Sequence, residues 1–343
     1  PVFDATTPFI DSLISKEGVR VITLHMPAGL DDAAILAEQQ ELLREFFTRS
    51  FELKEYIAWF YTPLAIDLSD SLPPAALTVY DCMDELSAFK NAPAAISEKE
   101  SVLMSTADLV FTGGHSLYEA KRHLHEHIFP FPSSIDKSHF GKARYDLITP
   151  ADQQSIPHPR IGFFGVIDER FDIVMVRDAA RLKPEWHFII IGPIVKIDPT
   201  TLPTLPNIHY LGGKSYDELP AYLGSWDIAM IPFAMNESTR FISPTKTPEY
   251  LAGGIPVVST PIRDVVRPYG EMDLVQIASS PNEFITGVDK ALQNRKDAGW
   301  LTRVDNYLAG LSWDITWKQM QTLITARLEN KALTNNLNDE VYV

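Results

Sequence analysis

The sequence predicts an α/β protein built from two Rossmann-like domains. Its 343 residues, 45% apolar and 22% charged, suffice to bury two cores of ordinary size. In the second half, short runs rich in Val, Ile and Phe alternate with helical stretches, the pattern of βαβ units on a parallel sheet. Between the halves, the polar stretch from Asp146 to Arg160 carries Pro150, Pro157 and Pro159 and reads as a linker.

Taken in order, the first half offers strands at Val19 to Leu24, Ile57 to Tyr61, Leu77 to Tyr80, Leu109 to Thr112 and His127 to Phe131. The chain opens on Pro1-Val2-Phe3-Asp4 without a starting Met, so this domain is expected to lack its opening strand and helix. The second half supplies six strands: Ile161 to Ile167, Trp186 to Gly192, Ile208 to Gly212, Asp227 to Phe233, Pro256 to Thr260 and Leu274 to Ala278. Helices are expected at Asp172 to Lys183, Tyr216 to Gly224, Pro248 to Ala252 and Pro281 to Arg295. The resulting division places a first domain at 1–148, a linker at 149–159, a second domain at 160–312, a helix at 313–329 packing back toward the first domain, and a mobile tail at 330–343.

Composition excludes several function classes. A net charge of −15 argues against a general duplex-binding surface, because polyanions are held by Lys and Arg. No nucleic-acid partner is expected, and an anionic ligand must meet a local cationic pocket. The single cysteine, Cys82, cannot form an internal disulfide, which favours the cytoplasm. The longest apolar runs fall short of the ~20 residues that span a bilayer. Peripheral contact with a membrane stays open.

The chemistry concentrates in Ser243-Pro-Thr-Lys-Thr-Pro-Glu-Tyr-Leu-Ala-Gly-Gly-Ile-Pro-Val-Val-Ser259. Here Thr247 suits an N-cap, Pro248 the first helical position, Glu249 the first turn, and Gly253 or Gly254 the end. A helix start offers orphan N–H groups to an anion, with Lys246 beside them. The alternative is a plain first-turn acid and a solvated lysine. A second element, Gly162-Phe-Phe-Gly-Val-Ile-Asp-Glu-Arg-Phe-Asp172, runs a strand into a loop. Gly165 allows close backbone approach, and Arg170 offers a planar fork of donors, unless Asp168, Glu169 and Asp172 merely hold it in a surface ion pair.

Asp81, Asp84 and Glu85 follow a strand, where a carboxylate such as Asp84 can act on an acceptor hydroxyl or cap the next helix. His115 and Ser116 also end a strand, with Ser116 an expected N-cap and His115 a site candidate. His123 and His127 share a helix face at a spacing of four, yet no Cys or paired carboxylate completes a metal site. No metal or cofactor is expected.

These segments resemble the donor-binding domain of GT-B glycosyltransferases, in the large retaining "group 1" class whose hallmark is a Glu before an AxGxPVV turn. The likeness is closer to a bacterial subgroup, sometimes associated with UDP-galactopyranose mutase. Its members carry strings similar to Tyr80-Asp-Cys-Met-Asp-Glu85, Thr112-Gly-Gly-His-Ser-Leu-Tyr118, Phe131-Pro-Ser-Ser-Ile-Asp136, Gly162 to Arg170 and Ser243 to Ala252. The resemblance runs from about Pro1 to Leu328. It implies two Rossmann-like domains facing across a cleft, with Gly165, Arg170 and Lys246 on the diphosphate, Glu249 on the ribose, and Gly213, Lys214 and Ser215 around the base. Ser243, Thr245 and Thr247, flanking Lys246, are expected at the same donor. Phe241 stands where the wider class has another Glu, so the resemblance does not fix the stereochemical outcome.

The expected function is metal-independent transfer of a sugar from a nucleoside-diphosphate sugar, UDP-linked, to a hydroxyl of a glycan or lipid-linked acceptor. Arg170 and Lys246 would stabilise the leaving group, with Asp84 and His115 as further catalytic candidates. The alternatives are a sugar-nucleotide epimerase of the same fold and a non-catalytic nucleotide-sugar-binding fragment. Oligomeric state is not readable from the sequence.

Overall fold

The computed structural model describes residues 1–50, 55–145 and 147–340. Asp146, which opens the expected linker, and residues 341–343, which close the expected tail, lie outside the described residues. The chain divides into two compact units. One comprises Pro1–Cys82, Pro93–Val110 and the segment from Ile324 on; the other comprises Met83–Ala92 and Phe111–Leu323.

The first unit begins with strands β1 (Val2–Ala5), β2 (Phe9–Ile14) and β3 (Arg20–Pro27). They form a sheet in the order β1-β3-β2, with β2 antiparallel to β3. The sequence predicts neither β1 nor β2. Their side chains are almost all exposed, so they carry no inward-facing periodicity to detect. Strands β4 (Ile57–Phe60), β5 (Leu77–Cys82) and β6 (Leu109–Thr112) follow in spatial order, β4 and β5 parallel. Leu77, Val79 and Tyr80 of β5 are wholly buried, as is Leu103 of the helix Ile96–Thr106. Asp81 is buried in this unit. Burial raises its carboxyl to about 6, although Trp59 Nε1 donates to it at 3.1 Å and pulls it down.

In the second unit, β7 (Ile128–Pro130) is followed by β8 (Arg160–Phe164), β9 (His187–Ile191), β10 (Ile208–Gly212), β11 (Ile228–Ile231), β12 (Val257–Ser259) and β13 (Val275–Ile277). The last six form one parallel sheet in the order β10-β9-β8-β11-β12-β13. Five fall within their predicted runs, and β8 starts one residue before its own. Ile189, Ile190, Met230, Ile231 and Val258 are wholly buried, as expected of strands covered on both faces. Strand order reverses between β8 and β11, and such sheets bind ligands beyond the carboxyl ends of their strands at that point.

Helices fall largely where caps predicted them. Asp172 accepts from Met175 N–H at 2.8 Å and starts Ile173–Leu182; Ser280 caps Pro281–Asn294 through Glu283 N–H at 3.3 Å. Ala151–Gln154 is a helical turn whose Gln153 is buried and accepts from Trp226 Nε1 at 2.9 Å. The last helix, Trp313–Glu340, runs past Leu328, where the sequence suggested a change to a polar tail. Glu329, Lys331, Ala332 and Leu333 open that extension with good helix formers, before a run rich in Asn. No helix among the described residues is long and apolar enough to cross a membrane.

Candidate functional site

Three segments of the second unit converge beyond the carboxyl end of β8. Gly165 N–H donates to Ile191 O at 2.8 Å, and Gly192 N–H to Gly212 O at 2.9 Å, so the first loop residues after β8 and β9 continue the sheet's pairing. Both glycines occupy positive φ, +148° and +143°. A Cβ on Gly192 would strike the carbonyl of Gly165, so only glycine lets the two loops approach.

The loop after β8 is then stitched to the loop after β11. Ala234 N–H donates to Arg170 O at 2.7 Å, Asp172 N–H donates to Pro232 O at 2.7 Å, and Phe171 bridges Phe233. This pairing at the switch point fixes the backbone of Arg170. Its side chain is held by Asp168: Nε donates to both carboxylate oxygens at 3.0 and 3.1 Å, and Nη2 to Oδ2 at 2.6 Å. Asp168 is buried, so this is an interior pair rather than a loose surface one. The Phe89 ring centroid lies 5.4 Å from the guanidinium carbon. Nη1 keeps no hydrogen-bond partner among the described residues.

The helix Lys246–Ala252 brings the other charges. Its wholly buried Tyr250 accepts from Phe164 N–H at 3.0 Å, tying the helix to the end of β8, and Arg144 Nε donates to Ala252 O at 2.7 Å at the other end. The sequence predicts Thr247 as the cap and Pro248 at the first helical position. In the structure Thr245 precedes the helix, Lys246 starts it, and Pro248 is its third residue, where a missing N–H still costs no helical bond. Thr247 is wholly buried, and its Oγ1 has no hydrogen-bond partner.

Lys246 and Glu249, three residues apart, share a face of this helix. Lys246 lies beside Gly165 and Arg170, its Nζ 5.9 Å from the ring centroids of Phe163 and Phe233. Burial lowers its ammonium below the ordinary lysine value; Glu249 and Asp168 oppose that shift, and Arg170 adds to it. Burial raises the Glu249 carboxyl to about 7 against the pull of Lys246. Neither Lys246 Nζ nor the Glu249 carboxyl has a hydrogen-bond partner among the described residues. Asp84 belongs to the same group: burial raises its carboxyl and Arg170 draws it down. It caps no helix, since Glu85 precedes the short turn Leu86–Ala88.

The remaining candidates make their contacts with other residues. Lys214 Nζ donates to Asp152 Oδ2 at 2.6 Å, and Ser215 is engaged with Glu218 in a capping box, so both hold the loop after β10 together. Gly213, between them and β10, meets nothing within 4 Å of a built Cβ. Tyr216, next in that loop, is sensed electrostatically by Glu249 and stacks on His139 at 4.0 Å between centroids. His115 is exposed at the start of the helix His115–Lys121. Ser116 is not that helix's cap. Gly114 takes the position, and the carboxylate comes from Asp264, whose Oδ1 accepts from Ser116 N–H at 2.9 Å. Ser243 lies near Gly114, within 2.8 Å of a Cβ built there. The helix ends at Lys121, so His123 and His127 do not share a helical face; His127 N–H instead donates to His125 Nδ1 at 3.0 Å. Among the described residues, no group of three or more His, Cys, Asp or Glu is placed to hold a metal ion.

Residues 158–294, which carry the six-stranded sheet with Gly165, Arg170, Lys246 and Glu249, match the family of glycosyl transferases group 1. The chain carries a group 1 glycosyltransferase domain. TuaH of Bacillus subtilis (strain 168), a protein named for a glycosyltransferase of teichuronic acid biosynthesis, is 26% identical to it over 297 residues, covering 81% of this chain and 74% of the other. Among solved structures, the glycosyltransferase superposes on sucrose-phosphate synthase from Thermosynechococcus elongatus with a TM-score of 0.69 and 14% identity, covering 95% of this chain and 87% of that one. Anabaena HepE, solved in complex with UDP and glucose, matches with a TM-score of 0.60 and 15% identity over 84% of this chain and 81% of its own. These likenesses establish the GT-B fold.

Proposed function

We propose that this glycosyltransferase takes its sugar from a UDP-linked donor and passes it to a hydroxyl of a glycan or lipid-linked acceptor without a metal ion. One observation carries the reading: Arg170 Nη1 and Lys246 Nζ, within electrostatic reach of each other at the switch point, both leave donors unspent. Holding two cations together costs free energy that a pyrophosphate would return. Solved HepE complexes with UDP and with UDP-glucose support uridine diphosphate as that ligand.

In this scheme the bond from the sugar's anomeric carbon to the diphosphate breaks, and its electron pair stays on the leaving oxygen. Arg170 and Lys246 stabilise the charge that develops there. The acceptor oxygen forms the new bond, and its proton passes to a carboxylate, for which Asp84 is the candidate beside Arg170. Glu249 accepts from ribose hydroxyls. The fixed cations take the part that a divalent ion plays elsewhere.

Calorimetry with UDP, ADP and GDP, followed by UDP release from UDP-galactose and UDP-glucose in the presence of a chelator, tests this. Saturable UDP binding and chelator-resistant release on adding acceptor are expected. Absent UDP binding, release abolished by the chelator, or isomerised donor with no UDP freed would overturn it.

A further inference from the structure

The segment Met83–Ala92 belongs to the second unit, although β5, which leads into it, belongs to the first. Its tip is fastened at two points. Lys90 N–H donates to Glu169 Oε1 at 3.1 Å in the loop after β8, and Lys90 Nζ donates to Lys196 O at 3.0 Å in the loop after β9. Both fastenings cost free energy. Glu169 Oε2 is buried with no hydrogen-bond partner, and Lys196 holds φ at +62°, in the left-handed region that a side chain disfavours. Strain of this kind persists where the surrounding structure imposes it, and it gathers at functional sites.

What the two fastenings place is the ring of Phe89. Its centroid lies 5.4 Å from the Arg170 guanidinium carbon and 5.6 Å from Lys196 Nζ. The face of such a ring is negative and attracts a cation. Asp168 grips one edge of the guanidinium, through Nε and Nη2, which leaves the group free to tilt about that edge. A ring under the guanidinium removes that freedom and keeps water from one of its faces. Nη1, the corner without a partner, is then held in one direction. An aliphatic side chain would fill the same space without attracting the charge.

We propose that Phe89 is a positioning residue for the sugar transfer, its ring holding the Arg170 guanidinium so that Nη1 points at the donor's diphosphate. The inference rests on the reading of Arg170 as a ligand of that diphosphate and supplies what aims it. Phe89 itself acts through Arg170 alone.

Calorimetric titration of UDP into full chains carrying phenylalanine or its monofluoro, difluoro or trifluoro analogue at position 89 tests it. Fluorine leaves the size of the ring nearly unchanged and drains charge from its face, so the fold is kept while the attraction weakens in steps. The Kd for UDP should rise with each added fluorine, reaching roughly threefold to fivefold, and Phe89→Tyr, which keeps the ring, should stay within about twofold of the native chain. The same series in Lys196→Met should rise as steeply, because the ring works through Arg170. A Kd that ignores fluorination, or a response that vanishes with Lys196, would overturn the positioning role while leaving UDP binding intact. Arg170→Met binding UDP as tightly as the native chain would instead strike the donor reading.

Discussion

Gly165 and Lys246 are packed so closely that a Cβ on the glycine would run into the lysine's Cε. The same glycine holds φ at +148°, a value that L-residues rarely adopt. Two demands therefore meet at one position: the backbone must turn there, and the lysine must pass over it. Gly165→Ala is expected to lower stability by about 1–3 kcal/mol in urea denaturation and to displace the ammonium, so that UDP binds roughly tenfold more weakly. An alanine variant with unaltered UDP affinity would show that Lys246 does not serve the ligand.

Lys246→Met separates function from folding. Methionine fills a similar volume without a charge, and burial already lowers the lysine's pKa, so stability is expected to hold or rise. Turnover should fall by roughly two to three orders of magnitude, the usual effect of removing one donor from a developing anion. Measuring thermal midpoint and UDP release on one preparation decides it. A loss of both together would assign the lysine to the fold.

Arg170 plays two parts that a pair of variants can divide. Arg170→Ala strands the buried Asp168, which costs several kcal/mol for a fully buried pair and less here, because the arginine side chain is 25% exposed. It also removes the fork offered to the leaving group. Asp168→Ala with Arg170→Ala should regain most of the stability and none of the turnover, which is expected to stay about two to three orders down. Recovery of activity in the double variant would mean that Arg170 acts through structure alone.

Much of this arrangement was readable from sequence because the relevant signals are local. The six strands of the parallel sheet are apolar runs bounded by helices, and Lys246 with Glu249 sits at a helical spacing that forces a shared face. What escaped was set by distant contact. Thr247 has the chemistry of a cap, but the helix starts at Lys246 and Thr247 lies wholly buried in its first turn, where its hydroxyl finds no partner. Asp264 supplies the cap for His115–Lys121 from 148 residues away, and no pattern near Ser116 announces it. Phe89, under Arg170, likewise belongs to a loop whose sequence looks unremarkable without its partner.

Glu249 yields the pH dependence. Burial lifts its carboxyl to about 7 from an ordinary value near 4.5 in the unfolded chain. At low pH both states hold the proton, and the native state pays nothing. As pH rises from 4.5 toward 7 the unfolded chain ionises first, so stability falls across that window and levels off above it, by at most roughly 3 kcal/mol. Glu249→Gln has no proton to lose and should flatten the decline, making the variant the more stable protein at pH 8. Ribose hydroxyls need the ionised carboxylate, so the ratio of variant to native Kd for UDP should grow as pH passes 7. Taking the ratio cancels the ionisation of UDP itself, which both proteins share. A native stability curve that is level between pH 4.5 and 7 would show that the carboxyl is not raised, and a Kd ratio that does not change with pH would remove Glu249 from the ribose.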